Sequence, residues 1–548
     1  MALRLLGVAL VAAALATPAA AAPGTIAVGL DGDAPRAELA QTLADESGGG
    51  LVEDLGPLDA LVLAVPDVPR ALELALGHDG VAYAEPVVTS RRLAFEPNDP
   101  LFPQQWYLPA VRAFDHWVAK PPHAPVRVAI VDSGIDGSHP DFAGRIGAAR
   151  SFVGGSALTD SSGHGTMVAG LVGAGIDDGV GIAGGGISVE LVVAKVVGAG
   201  GGISILNEAR AIRWAVNSGA KVINLSLGGP RNPRNPLLDT YSALEHAAVD
   251  YATRRGVLVV AAAGNCSRVR CPEQYASWPA ALPHVLGVGA LRPDGLTPAF
   301  SNRDPVHVDL AAPGTKMLST YPATRTTPGC EPAGYTPCAI PDSDRDPRGT
   351  SFSAPLATGA AASLLGERAL AEGPFHASQV RTLLERSATD ISPAGRDRRS
   401  GFGRLDVARA LQRLAGPMPP RDRYETNDDA GGKAWYLGGK ALRIRATVDP
   451  FDDRRDVYRI PLRTGQRVDL RLNGPVRGRS SLHLWRPGTR TLDSNARLRR
   501  ANRIASSAGP SWKERIVHRA RARGYYFVEV RLPGGKAGEY MLTILKSP

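Results

Sequence analysis

Apolar and polar positions along the chain fall into three regimes. Residues 25–92 carry two apolar patches, 58–65 and 81–88, on either side of a stretch with helical spacing at 68–76, a pattern that predicts a small α+β unit. From about residue 97 to 414, short apolar runs alternate with helical periodicity. Runs at 126–131, 221–227, 257–263 and 285–291 read as buried strands, and 207–217, 241–254 and 355–365 read as helices between or after them. Strands alternating with helices predict a parallel α/β sheet. Residues 416–420 hold three prolines in five positions, which reads as a linker. Beyond it, the short alternating segments 468–472, 525–531 and 540–545, separated by turn residues, predict an all-β sandwich.

The first residues add a targeting signal. Arg4 precedes a mostly apolar stretch at 5–16, then Thr17, Pro18 and four alanines at 19–22. That order reads as a secretory signal peptide ending near residue 22, and its apolar part is shorter than the roughly 20 residues a membrane span needs. Secretion brings an oxidising compartment, which suits four cysteines in two close pairs, Cys266 with Cys271 and Cys330 with Cys338. Four cysteines allow three pairings, and neither a CxxC redox spacing nor a zinc pattern occurs. The 62 glycines and 44 prolines among 548 residues exceed average usage of roughly 7% and 5%, a sign of many turns and close backbone approaches.

Three short stretches carry polar groups that an α/β core would not otherwise select. Val128-Ala129-Ile130-Val131-Asp132-Ser133-Gly134 is a buried strand ending in a carboxylate, where open α/β sheets place their active sites. In Gly163-His164-Gly165-Thr166-Met167-Val168-Ala169-Gly170 a histidine opens a helix of small residues. Gly349-Thr350-Ser351-Phe352-Ser353-Ala354-Pro355 sets a serine at a helix start, with a proline read as lying in the first turn and the serine N–H turned toward an anion. Each alone has a plain structural reading as turn former, helix-end histidine or N-cap. Together they stand in the order Asp, His, Ser, one of the known orders of the serine triad.

All three motifs resemble those of the subtilisin-like serine peptidases, over roughly residues 97–414. The resemblance implies an α/β fold with a parallel sheet flanked by helices, and endopeptidase chemistry through an acyl-enzyme. It makes Ser351 the nucleophile, His164 the general base and Asp132 the residue that orients the imidazole. Asn265, closing Ala261-Ala262-Ala263-Gly264-Asn265, resembles the family's oxyanion donor, and Ser226-Leu227-Gly228-Gly229 resembles the segment that pairs with substrate backbone and walls the specificity pocket. With no acidic residue in either stretch, large apolar side chains are the expected preference.

No cofactor is expected for the chemistry. Asp141 and Asp178 match positions where some relatives hold a structural calcium, with a solvated turn as the other reading of each. Residues 25–92, with Gly80-Val81-Ala82-Tyr83-Ala84-Glu85-Pro86 near their end, resemble the inhibitory propeptide of secreted subtilases, which is expected over 23–96; Asn98-Asp99-Pro100 resembles a mature start, so processing is expected between Arg91 and Asn98. The peptidase domain is expected over 97–415, a linker over 416–421 and the sandwich over 422–548. The last opens Tyr424-Glu425-Thr426-Asn427-Asp428 and loosely resembles the pre-peptidase C-terminal domain of secreted bacterial peptidases. Protein or peptide substrates and the chain's own propeptide are the expected partners, with a monomeric state and no nucleic acid. Residues 421–548 hold 28 Lys+Arg against 13 Asp+Glu, a net +15 that leaves −5 for residues 1–420, so the overall +10 belongs to the C-terminal part. That part is the one suited to an anionic surface.

Overall fold

The computed structural model describes residues 24–548 apart from 33, 88–93, 199, 234, 267–274, 341–343, 372–375, 392, 417–421, 423, 450–452, 476–477, 493–495 and 535–537. The expected signal peptide, most of the linker, the start of the expected processing stretch and Cys271 lie outside the described residues. Two compact units divide between Arg92 and Leu93.

The first unit is the expected α+β fold. Strands β1 (Gly24–Leu30), β2 (Gly50–Leu55), β3 (Ala60–Val65) and β4 (Val81–Pro86) form a sheet in the order β2-β3-β1-β4, with helices α1 (Arg36–Ser47) and α2 (Val68–Leu76). Helix α2 spans the residues whose spacing predicted it. Asp67 caps it by accepting the Arg70 N–H at 3.1 Å. Ile26, Val28, Leu61 and Leu63 of the sheet pack with Leu39 and Leu43 of α1 and with Ala71 and Ala75 of α2.

In the second unit, helix α3 (Tyr107–Ala110) precedes a parallel sheet of seven strands among the described residues. These are β5 (Val126–Asp132), β6 (Ile146–Ser151), β7 (Val189–Lys195), β8 (Val222–Leu225), β9 (Leu258–Ala262), β10 (Val285–Leu291) and β11 (Leu310–Pro313), in the order β11-β10-β9-β8-β5-β7-β6. Helices α4 (His164–Gly173) and α7 (Thr350–Ala371) share one core with one face of the sheet, and α5 (Ile205–Asn217) and α6 (Ala243–Thr253) share another with the opposite face. Helices α8 (Ala377–Ser387) and α9 (Val407–Gln412) complete the first core.

Two expectations need correction. The run at 221–227 is strand only to Leu225, so Ser226 and Leu227 form the loop beyond the sheet edge. Helix α7 starts at Thr350, five residues before the predicted 355–365, and places Pro355 inside the helix beyond its first turn. Proline has no N–H for the carbonyl four residues back. That carbonyl belongs to Ser351, and its oxygen accepts the Ser226 hydroxyl at 2.7 Å instead. Periodicity also passes over β7, whose Glu190 breaks an apolar run, and β6, an edge strand with no buried position.

The C-terminal part is a sandwich of two sheets. The first has the order β12-β14-β19-β16-β17, from β12 (Trp435–Tyr436), β14 (Arg455–Leu462), β16 (Ser481–Trp485), β17 (Arg503–Ser507) and β19 (Gly524–Arg531). The second has the order β13-β20-β15-β18, from β13 (Ala441–Val448), β15 (Arg467–Asn473), β18 (Lys513–Arg519) and β20 (Gly538–Ser547), and a short helix α10 (Ala496–Asn502) precedes β17. Pairing is antiparallel except between β12 and β14. Its core alternates as the sequence does: Val468, Leu470 and Leu472 face inward against Leu542 and Ile544.

Candidate active site

Asp132, Ser226, Asn265, His164 and Ser351 stand at or just past the carboxyl ends of β5, β8 and β9 or open α4 and α7. This is the edge of an open α/β sheet where ligands bind.

Asp132, the last residue of β5, is 3% exposed. Its Oδ1 accepts the Ser133 N–H at 2.7 Å, and His164 Nδ1 lies 2.8 Å from Oδ1 and 3.0 Å from Oδ2. A carboxylate can only accept, so Nδ1 is assigned the hydrogen and Nε2 is left as the acceptor. Burial alone would push the His164 imidazolium down. The charge and hydrogen bond of Asp132, with Asp160 and Asp344 farther out, outweigh burial and hold its pKa above the ordinary value. The ring remains 31% exposed and packs at a tilt on Phe352, ring centroids 5.6 Å apart.

Asp160, which the sequence reading passed over, mounts the histidine. It is buried, and its Oδ1 accepts the Ser133 hydroxyl at 2.8 Å, the Ser162 N–H at 3.0 Å and the Gly163 N–H at 2.9 Å. Its Oδ2 accepts the Thr166 N–H at 2.9 Å and the Thr166 hydroxyl at 2.7 Å. The Ser133 Oγ in turn accepts the Gly165 N–H at 2.9 Å. Orphan donors at the start of α4 are thereby met from outside the helix, with no cap from Gly163. An Asp three residues before a Gly-His helix start was the available signal. Gly165 is required for close approach: a Cβ there would sit 2.0 Å from the Gly134 carbonyl oxygen.

Ser351 stands one residue into α7. Its hydroxyl donates to the Ser226 carbonyl at 3.2 Å rather than to His164. Asn265 is oriented by its neighbour in the helix: Oδ1 accepts the Thr350 N–H at 2.9 Å and the Thr350 hydroxyl at 3.1 Å, while Thr350 Oγ1 accepts the Gly264 N–H at 3.0 Å. With Oδ1 so held, the Asn265 amide group points its N–H bonds elsewhere. Thr350, fully buried, is the second residue the sequence reading missed.

In the segment Ser226 to Gly229, the N–H and C=O of Gly229 are both taken by Trp278, at 3.0 Å each. Neither backbone group of Gly229 is therefore left to pair with another chain. At Gly228 a Cβ would meet the Trp278 carbonyl oxygen at 2.1 Å. Of the cysteines, Cys330 and Cys338 form a disulfide, and no described cysteine is free.

Asp141 is buried rather than a solvated turn. Its Oδ1 accepts the Tyr335 hydroxyl at 3.0 Å, Oδ2 accepts the Ile182 N–H at 3.3 Å, and burial pushes its pKa up to about 7. Asp178 faces Arg145 at 3.7 Å and accepts the Val180 N–H at 3.1 Å. Among the described residues, the side chains close enough together to hold a metal ion lie elsewhere: Asp422, Glu425, Asp453 and Asp456 in the sandwich, and His284 with Glu425 and Asp428.

Comparison with known proteins identifies the family. The subtilase family profile of peptidases matches residues 124–403. The chain belongs to the subtilase family. Within the subtilases it is 36% identical to subtilisin Savinase of Lederbergia lenta over 267 residues, 48% of this chain and 84% of that one. It is 35% identical to fervidolysin of Fervidobacterium pennivorans over 318 residues, 54% of this chain and 42% of that one, and 35% identical to halolysin of Haloferax mediterranei over 341 residues, 61% and 58%. Residues 9–86 match the fervidolysin N-terminal prodomain. This subtilase is thus a serine peptidase with a prodomain, and no described helix is long and apolar enough to cross a membrane.

Proposed function

We propose that the chain is a secreted serine endopeptidase in which Asp132, His164 and Ser351 form the triad. The observation that carries this is the buried Asp132 carboxylate fixing His164 Nδ1 at 2.8 Å, which leaves Nε2 as the proton acceptor beside the helix that bears Ser351. Ser351 Oγ gives up the Ser226 carbonyl, passes its proton to Nε2 and bonds to the peptide carbonyl carbon. Asp132 stabilises the imidazolium without taking its proton. The carbonyl oxygen becomes an oxyanion held by the Asn265 amide and the Ser351 N–H. His164 then gives its proton to the leaving amine, and water repeats the sequence on the acyl-enzyme. Loss of one oxyanion donor costs about 2.7–4 kcal/mol, a magnitude established on subtilisin.

Residues 1–22 would direct secretion and the prodomain would restrain the peptidase until processing between Arg91 and Asn98. Ser226, Leu227 and Gly228 would take the substrate backbone, and the C-terminal part, residues 421–548 at +15, would face anionic surfaces. The test is Ser351→Ala, assayed on casein and on conversion of the precursor. Both activities should vanish, and undiminished hydrolysis would sink the assignment.

A further inference from the structure

The sandwich carries a pocket that the peptidase chemistry does not use. Asp422, Glu425, Asp453 and Asp456 are all buried, and each brings a carboxylate oxygen within 4.8 Å of the others. Some of these oxygens have partners. Asp422 accepts the Tyr424 N–H at 2.8 Å and, on its other oxygen, the Thr447 N–H at 2.6 Å and hydroxyl at 3.2 Å, while Asp456 Oδ2 accepts the Tyr540 hydroxyl. Others do not: Glu425 Oε1, Asp453 Oδ1 and Asp456 Oδ1 accept no hydrogen bond, and Glu425 Oε2 has only His284 Nε2 near it, at 3.3 Å. Asn427, in the same run of chain and fully buried, has no donor on its amide oxygen and sets its NH2 against Asp456.

Such crowding calls for a cation. Four buried carboxyl groups whose oxygens lie within 4.8 Å of one another repel wherever two or more carry charge. The Asn427 carbonyl oxygen, which accepts no hydrogen bond, adds a neutral oxygen to the same set. An all-oxygen set of four carboxylates and an amide suits a hard divalent cation of calcium's class, which accepts six to eight oxygens in flexible geometry.

The residues between these donors hold the sandwich to the subtilase domain. Thr426, flanked by Glu425 and Asn427, accepts Arg254 Nε on its hydroxyl at 3.1 Å and Arg254 Nη2 on its carbonyl at 3.0 Å. One residue past Asn427, Asp428 lies 3.2 Å from His284 Nε2, which is also 3.3 Å from Glu425 Oε2. Lys433 reaches Asp250 at 3.1 Å on the same face.

We propose that a calcium-like divalent cation, held by Asp422, Glu425, Asn427, Asp453 and Asp456, clasps the C-terminal sandwich to the subtilase domain by fixing Thr426 and Asp428 against Arg254 and His284. Docking then follows the cation and not the peptidase reaction.

Hydrogen exchange of the full chain tests this, in a Ser351→Ala background that prevents self-digestion, with millimolar calcium against chelator. Calcium should slow exchange by about tenfold or more on both faces, residues 424–430 of the sandwich and 250–257 with 282–286 of the subtilase domain. Asp453→Asn should abolish the response on both faces and lower the calorimetric calcium stoichiometry by one. If Asp453→Asn does not fold, the calcium and chelator arms on the chain with Asp453 intact decide alone. No calcium response at 424–430 would overturn the site. A response confined to 424–430 would overturn the clasp.

Discussion

Replacing Asp160 by Asn tests how the histidine is mounted. The five hydrogen bonds to Asp160 divide between its oxygens, three on Oδ1 and two on Oδ2. An asparagine keeps one oxygen. If that oxygen takes the Oδ1 position, the new NH2 faces the Thr166 N–H, and a buried donor is left without an acceptor at a cost of about 1–3 kcal/mol. A lost negative charge at the start of α4 adds about 0.3–1 kcal/mol. Asp160→Asn should therefore destabilise the protein by about 2–3 kcal/mol, read by calorimetry in the Ser351→Ala background as a fall in Tm of at least a few degrees. It should also act on chemistry, because Asp160 helps hold the His164 pKa up. In the active chain the acidic limb of kcat/KM should move to lower pH, since the imidazole then loses its proton earlier. A Tm and an acidic limb that both match the parent would refute the role given to Asp160.

Other perturbations read other parts of the account. Asn265→Ala should lower kcat by about 10²–10³-fold with little change in KM, measured on a peptide substrate at saturation. Gly228→Ala would press a Cβ to 2.1 Å from the Trp278 carbonyl and should cut kcat/KM sharply, with a shifted substrate wall visible in a crystal structure. In the sandwich, burial and then Arg503, Arg531 and Arg499 push His483 down to about 4. Between about pH 4 and 6.5 the unfolded chain binds more protons at this site, so stability rises with pH there and is lost as pH falls, by about 3 kcal/mol in all. His483→Gln should flatten that part of the urea midpoint profile.

The chemistry-bearing strand and helix starts were legible because Asp132, His164 and Ser351 each sit in a local pattern that propensity and turn chemistry explain. Asn265 and the segment from Ser226 were legible only through family resemblance. The strand pattern runs past Leu225 because Ser226 and Leu227 keep the apolar and small sequence while leaving the sheet. Pro355 has the sequence signature of a first-turn proline, which sets the expected start of α7 late, and the Ser226 hydroxyl on the Ser351 carbonyl explains how it is tolerated deeper. Thr350 and Asp160 act through contacts fixed by tertiary packing, which spacing does not reveal. The acidic residues around Asn427 read as a domain marker; Asp453 and Asp456, just before and within β14, join them only through the fold.

Labelling the matured protein with a fluorophosphonate and mapping the adduct by mass spectrometry tests the central claim most directly. The account predicts a single adduct on Ser351, formed in step with the loss of peptide hydrolysis and absent from Ser351→Ala. Peptide hydrolysis that survives full labelling, or an adduct on another residue that tracks its loss, would contradict it.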